Sequence, residues 1–130
     1  MTNIIDILKQ ATDGLMMMSE SEYPFKVIFW EEKEPLTTQK ILQLTNHPQE
    51  SPIEEVELEY FFRNCAFEKE WHDEIQKEEV KKFQFLLASL NDNLKEIKVY
   101  RVGTISIDVY IIGKTVNGDL AGVSTTVIET

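Results

Sequence analysis

Cysteine is almost absent: Cys65 is alone among 130 residues, so no intrachain disulfide framework exists and a reducing compartment is the simpler expectation. Positive charge is scarce too. Thirteen Lys and Arg stand against 23 Asp and Glu, for a formal charge of -10. That field opposes contact with DNA, RNA or an anionic membrane and favours a basic partner. No apolar run is long enough to span a bilayer. Ile4, Ile5, Ile7 and Leu8 are interrupted by Asp6 and follow no basic segment, so they read as a folded helix and not an export signal. No internal repeat or low-complexity linker divides the chain, and residues 1–130 are expected to form a single domain with one core.

Motifs for chemistry are equally sparse. His47 and His72 form no HExxH pair, and Cys65 has no second thiolate to complete a zinc framework. Ser124, in Gly122-Val123-Ser124-Thr125, lacks the nucleophile elbow. Gly113, Gly118 and Gly122 match neither the Walker nor the dinucleotide spacing and read as turn or close-packing glycines. Carboxylates are plentiful, and Asp108 with Asp119 is the pair to weigh for general acid and base work. With 23 acids in the chain such pairs arise by chance, so the acids read better as an interaction surface and the protein as no enzyme.

What is present is a clear alternation of periods. Ile4, Leu8, Ala11, Leu15 and Met18 recur at helical spacing, with Thr2 or Asn3 as N-cap and Gly14 near the stop. Phe25 to Trp30 is aromatic and β-branched, which predicts a strand. Thr37 or Thr38 can cap a short helix carrying Ile41, Leu42 and Leu44, with a strand as the alternative there, and Asn46 to Pro52 reads as a loop. Val56, Leu58 and Tyr60 alternate with acids, favouring a short strand or extended edge before Phe61-Phe62. A long helix is expected from about Asp73, with Val80, Phe83, Leu87 and Leu90 as its buried stripe, reinforced by Phe85 and Leu86. Strands are expected over 97–102, 104–112 and 121–129, with Ile105, Ile107, Val109 and Ile111 on one face and Ser106, Tyr110 and Ile112 on the other. The sum is an α+β domain, a three-layer α/β/α sandwich around a mixed or largely antiparallel sheet.

The stretch Ser19-Glu20-Ser21-Glu22-Tyr23-Pro24-Phe25 sets two carboxylates in a turn beside a core segment. Together with Gly14-Leu15, Tyr100-Arg101-Val102-Gly103, Asp108-Val109-Tyr110-Ile111-Ile112-Gly113 and the closing run from Leu120 to Thr130, it resembles the nuclease A inhibitor family over nearly the whole chain. The resemblance implies an inhibitor, cytoplasmic and monomeric, that binds a sugar-nonspecific DNA/RNA endonuclease one to one and blocks its substrate groove. It implies no direct contact with nucleic acid or membrane and no intrinsic cofactor. By the same resemblance the nuclease-binding residues are Glu20, Glu70, Trp71 and Thr130. At Glu70 the family pattern has Asp, and the added methylene keeps the charge while changing its reach. Thr130 is implied to act through its main-chain carboxylate, which approaches a divalent ion such as Mg supplied by the nuclease. The residues themselves also allow a noncatalytic acidic module for another basic partner.

Overall fold

A computed structural model describes residues 4–18, 22–31, 37–62 and 74–128. The first helix, α1 (Ile4–Thr12), buries Leu8 and Ala11. It ends where Gly14 takes a left-handed φ of 71° and Leu15 turns back into the core, the arrangement in which a glycine stops a helix and the next apolar residue closes over its last turn. Met16–Met18 then form β1, which pairs antiparallel with β2 (Glu22–Pro24). The stop near Gly14 is the expected one, but Leu15 and Met18, which continue the helical spacing, lie beyond the helix.

The main sheet contains β3 (Lys26–Trp30), β4 (Ile53–Val56), β5 (Lys95–Val102), β6 (Ser106–Lys114) and β7 (Leu120–Ile128). Its order is β3-β7-β6-β5-β4 and every pairing is antiparallel. Between β3 and β4 lies α2 (Thr38–Leu44), whose N-cap is Thr37: its hydroxyl accepts the Lys40 N–H at 3.1 Å. After β4 come the single turn α3 (Leu58–Phe61) and, later, α4 (Glu74–Asn93).

Period-2 alternation divides the sheet into two faces. On one, Val99, Ile107, Val109, Ile111, Ala121, Val123 and Val127 meet Leu8 and Ala11 of α1, Phe83, Leu86 and Leu90 of α4, and Leu58 with Phe62. On the other, Tyr100, Val102, Ile112 and Leu120 lie under Ile41 and Leu42 of α2. Helices thus cover both faces, and the α/β/α arrangement expected from the sequence is the one observed. Burial of Tyr100, reinforced by the charge of Glu55, pushes its phenol up to about 12.

Four details depart from the sequence reading. Leu58 and Tyr60 belong to α3 and not to a strand, because Leu58, Phe61 and Phe62 turn inward at helical spacing while Tyr60 is exposed. Phe85 lies on the solvent side of α4, whose inward stripe among the described residues is Val80, Phe83, Leu86 and Leu90, with Leu87 half-buried beside it. Ile105 stands before β6, 60% exposed, instead of sharing its core face. The β5 strand starts two residues early, at Lys95, and carries an irregularity between Lys95 and Lys98 where Glu96 adopts φ 54°; an inserted residue of this kind bends the strand and escapes an alternation count.

Candidate functional site

Glu20, Glu70, Trp71 and Thr130, together with Cys65 and His72, lie outside the described residues. Their described neighbours in sequence are the paired Met18 and Glu22, the first residue of α4, Glu74, and the last residue of β7, Ile128. The fold brings these neighbours toward one end of the sheet. The β1–β2 hairpin stands against β7, where the Thr125 hydroxyl, 6% exposed, faces the Pro24 carbonyl at 3.1 Å and that of Tyr23 at 3.4 Å. Ile128, three residues on, pairs with Ser106.

The direction of α4 follows from two contacts. Leu94, just after its C-terminus, packs at Gly113, and Phe83 meets Phe25 edge to face with ring centres 6.1 Å apart. Phe25 directly precedes Lys26, which pairs with Ser124. The helix therefore runs back along the sheet from the Gly113 end to the level of Thr125, and its rise carries Glu74 roughly 14 Å further the same way. Hairpin, α4 N-terminus and β7 C-terminus share that end.

Beside this end the second face of the sheet is uncovered by α2 and polar. Tyr23, Pro24, Lys26, Asp108, Ser124 and Thr126 border a concavity of about 360 Å³. Register explains the grouping: Lys26 pairs with Ser124, Ser124 with Tyr110 and Thr126 with Asp108, so these polar side chains share a face. His47 closes over it from the loop after α2, with Nε2 at 3.2 Å from Asp108 Oδ2 and 3.0 Å from the Tyr110 hydroxyl. A carboxylate only accepts, so the Asp108 contact requires the proton on Nε2. Thr126 donates to Asp108 Oδ1 at 3.3 Å. Burial, aided by the Asp108 charge and opposed by a hydrogen bond with Thr45, raises the Tyr110 phenol.

This cluster escaped the sequence reading. His47 is 61 residues from Asp108 in the chain, and nothing local links them; the only signal was that Asp108, Tyr110, Ser124 and Thr126 fall on matching alternate positions of two strands. Its geometry suits a tether for the loop. The acid pair considered for catalysis is not brought together: Asp108 lies opposite Thr126, while Asp119 precedes Leu120 at the far end of β7. Six strand residues between those levels amount to roughly 20 Å. Among the described residues no three His, Cys, Asp or Glu side chains gather as a metal site, and no helix is long and apolar enough to cross a membrane.

Compared with known proteins, the chain matches a family model described as nuclease A inhibitor-like protein over residues 2–130. No curated protein matches it.

Proposed function

The chain belongs to the nuclease A inhibitor-like family, and from that premise we propose that it occupies the substrate groove of a divalent-metal-dependent, sugar-nonspecific endonuclease. Membership gives it a nuclease-inhibitor role and no reaction of its own. The observation that carries the finer reading is the extent of the match, which reaches from residue 2 through 130 and so includes every residue to which the resemblance assigns a contact. Glu20 and Glu70 pair with basic groups that otherwise bind phosphates. Trp71 inserts as a large apolar anchor with a polar edge, a residue type enriched where binding energy concentrates. The main-chain carboxylate of Thr130 supplies oxygen to the nuclease's own Mg or similar ion, a hard cation that takes oxygen ligands.

Charge supports the same reading. A net of -10 draws the protein toward a basic groove, and such steering acts on the association rate and weakens as salt screens it. The complex is one to one, its site of action the cytoplasm, and its metal belongs to the nuclease.

The test is titration of the purified protein into such a nuclease, wild type against a variant lacking Thr130. Deletion draws the terminal carboxylate back by about 3.8 Å, so near-stoichiometric inhibition by the wild type should weaken sharply while the fold is retained. Equal inhibition by both would remove the carboxylate from the mechanism. Binding to basic proteins without protection of nucleic acid, across a panel of these nucleases, would favour the acidic binding module instead.

A further inference from the structure

Ile105 is one of five large apolar side chains that stay exposed among the described residues, with Met16, Tyr60, Phe85 and Val116. A β-branched residue in an alternating run belongs in the core by pattern, yet it is 60% exposed and joins neither buried cluster. Single exposed apolar residues are common and mean nothing alone. Position gives this one meaning. It sits in the turn between β5 and β6, next to Ser106, whose cross-strand partner is Ile128, so the turn adjoins the point from which the chain continues to Thr130.

The turn is also tied at both ends. Gly103 takes φ 118° and donates its N–H to the Pro52 carbonyl at 2.9 Å, tying the turn to the loop before β4. Beyond it β6 pairs residue by residue with β7 from Ser106–Ile128 onward. A stiff side chain on a fixed turn loses little conformational entropy when a partner covers it.

Resting on the inhibitory reading above, we infer that Ile105 is an apolar anchor of the nuclease-binding surface, received by an uncharged, aliphatic or aromatic depression on the nuclease beside its metal groove. The contact that brings the end of β7 to the metal carries the adjoining turn against the enzyme. The charged residues of the inhibitor steer and orient; Ile105 slows dissociation, since desolvated apolar anchors act mainly on the off-rate.

The experiment uses a divalent-dependent, sugar-nonspecific nuclease that the wild type inhibits. Inhibition constants, dissociation rates and melting temperatures are compared for wild type, Ile105→Ala, Ile105→Val and Val116→Ala. Val116, 91% exposed in the turn at the opposite end of β6, is the control. The expected result is inhibition weakened about tenfold by Ile105→Ala, or about 1.4 kcal/mol, carried by faster dissociation at an unchanged melting temperature. Ile105→Val recovers most of the loss, and Val116→Ala stays within about twofold of wild type. Ile105→Ala inhibiting as well as wild type overturns the anchor and leaves the inhibitory reading standing, as does a loss shared by Val116→Ala or matched by a fall in melting temperature. Failure of the wild type against every such nuclease overturns both.

Discussion

Replacing Gly122 with alanine should cost more than the same change at Gly14. Gly122 sits in β7 opposite Ile112, between two partner strands. A Cβ added there would overlap the Ile111 carbonyl oxygen and lie 2.8 Å from the Ile111 carbonyl carbon and 3.0 Å from Ile112 Cα. All three are backbone atoms of a fully buried strand segment, and no rotamer can move them aside. Relief requires β6 and β7 to part by about an ångström, breaking one or two ladder hydrogen bonds whose buried groups cost about 1–3 kcal/mol each when unpaired. The reduced freedom of the unfolded chain returns only about 0.4–1 kcal/mol. The net loss is about 3 kcal/mol, a large part of the roughly 5–15 kcal/mol that holds a domain together.

Urea unfolding followed by circular dichroism reads this directly. With a slope of about 1.5 kcal/mol/M, the midpoint should fall by about 2 M. Gly14→Ala provides the contrast, because nothing lies within 4 Å of its added Cβ. There the cost is only that of the left-handed backbone, about 1–2 kcal/mol before the same unfolded-state gain. A Gly122→Ala midpoint within about 0.3 M of wild type, at unchanged slope, would refute the close approach of β6 and β7.

Two further outcomes follow from Tyr100 and His47 on the second face of the sheet. The Tyr100 phenol is raised to about 12 from its ordinary 10. The unfolded chain therefore releases this proton first, and the contribution is full below pH 10 and lost as pH rises through 12, on the order of 2 kcal/mol. Urea midpoints between pH 9 and 12 should fall more steeply for wild type than for Tyr100→Phe; parallel profiles would dismiss the burial argument. His47→Ala removes the contacts to Asp108 and Tyr110 and should cost about 1–2 kcal/mol at neutral pH. Faster amide exchange in residues 46–51, with the β6–β7 ladder still protected, would identify His47 as the loop's tether, and unchanged exchange would deny it.

Much of the architecture was legible because its period is local. Ile107, Val109 and Ile111 against Tyr110 and Ile112 marked a strand apolar on both faces at one end, and Thr37 with Ile41 and Leu42 favoured the short helix found over the second one. Readings failed where one period imitates another over few residues. Leu15 and Met18 continued the spacing of α1 past a glycine that had already reversed the chain, and Leu58 with Tyr60 alternated by chance within a single helical turn. The polar cluster of His47, Asp108, Tyr110 and Thr126 was illegible for another reason: its members meet only through strand register and a loop closure across the chain. Glu20, Glu70, Trp71 and Thr130 became candidates through resemblance alone, since an acid in a turn or a tryptophan before a helix carries no period.

The pairing of β3 with β7 joins residues 26–30 to residues 120–124, about three quarters of the 130-residue chain apart, and this sets an order of events during synthesis. The apolar strand from Lys26 to Trp30 leaves the ribosome early, yet the neighbour it pairs with is the last of the described strands to be made. At roughly 5–20 residues per second it waits several seconds with that edge unpaired, and the long loop then slows closure. The closing strand is also the one that leads to Thr130. A nascent chain lacking β7 has neither a finished sheet nor the proposed metal-directed carboxylate, so inhibitory capacity arrives together with the native state and not before it.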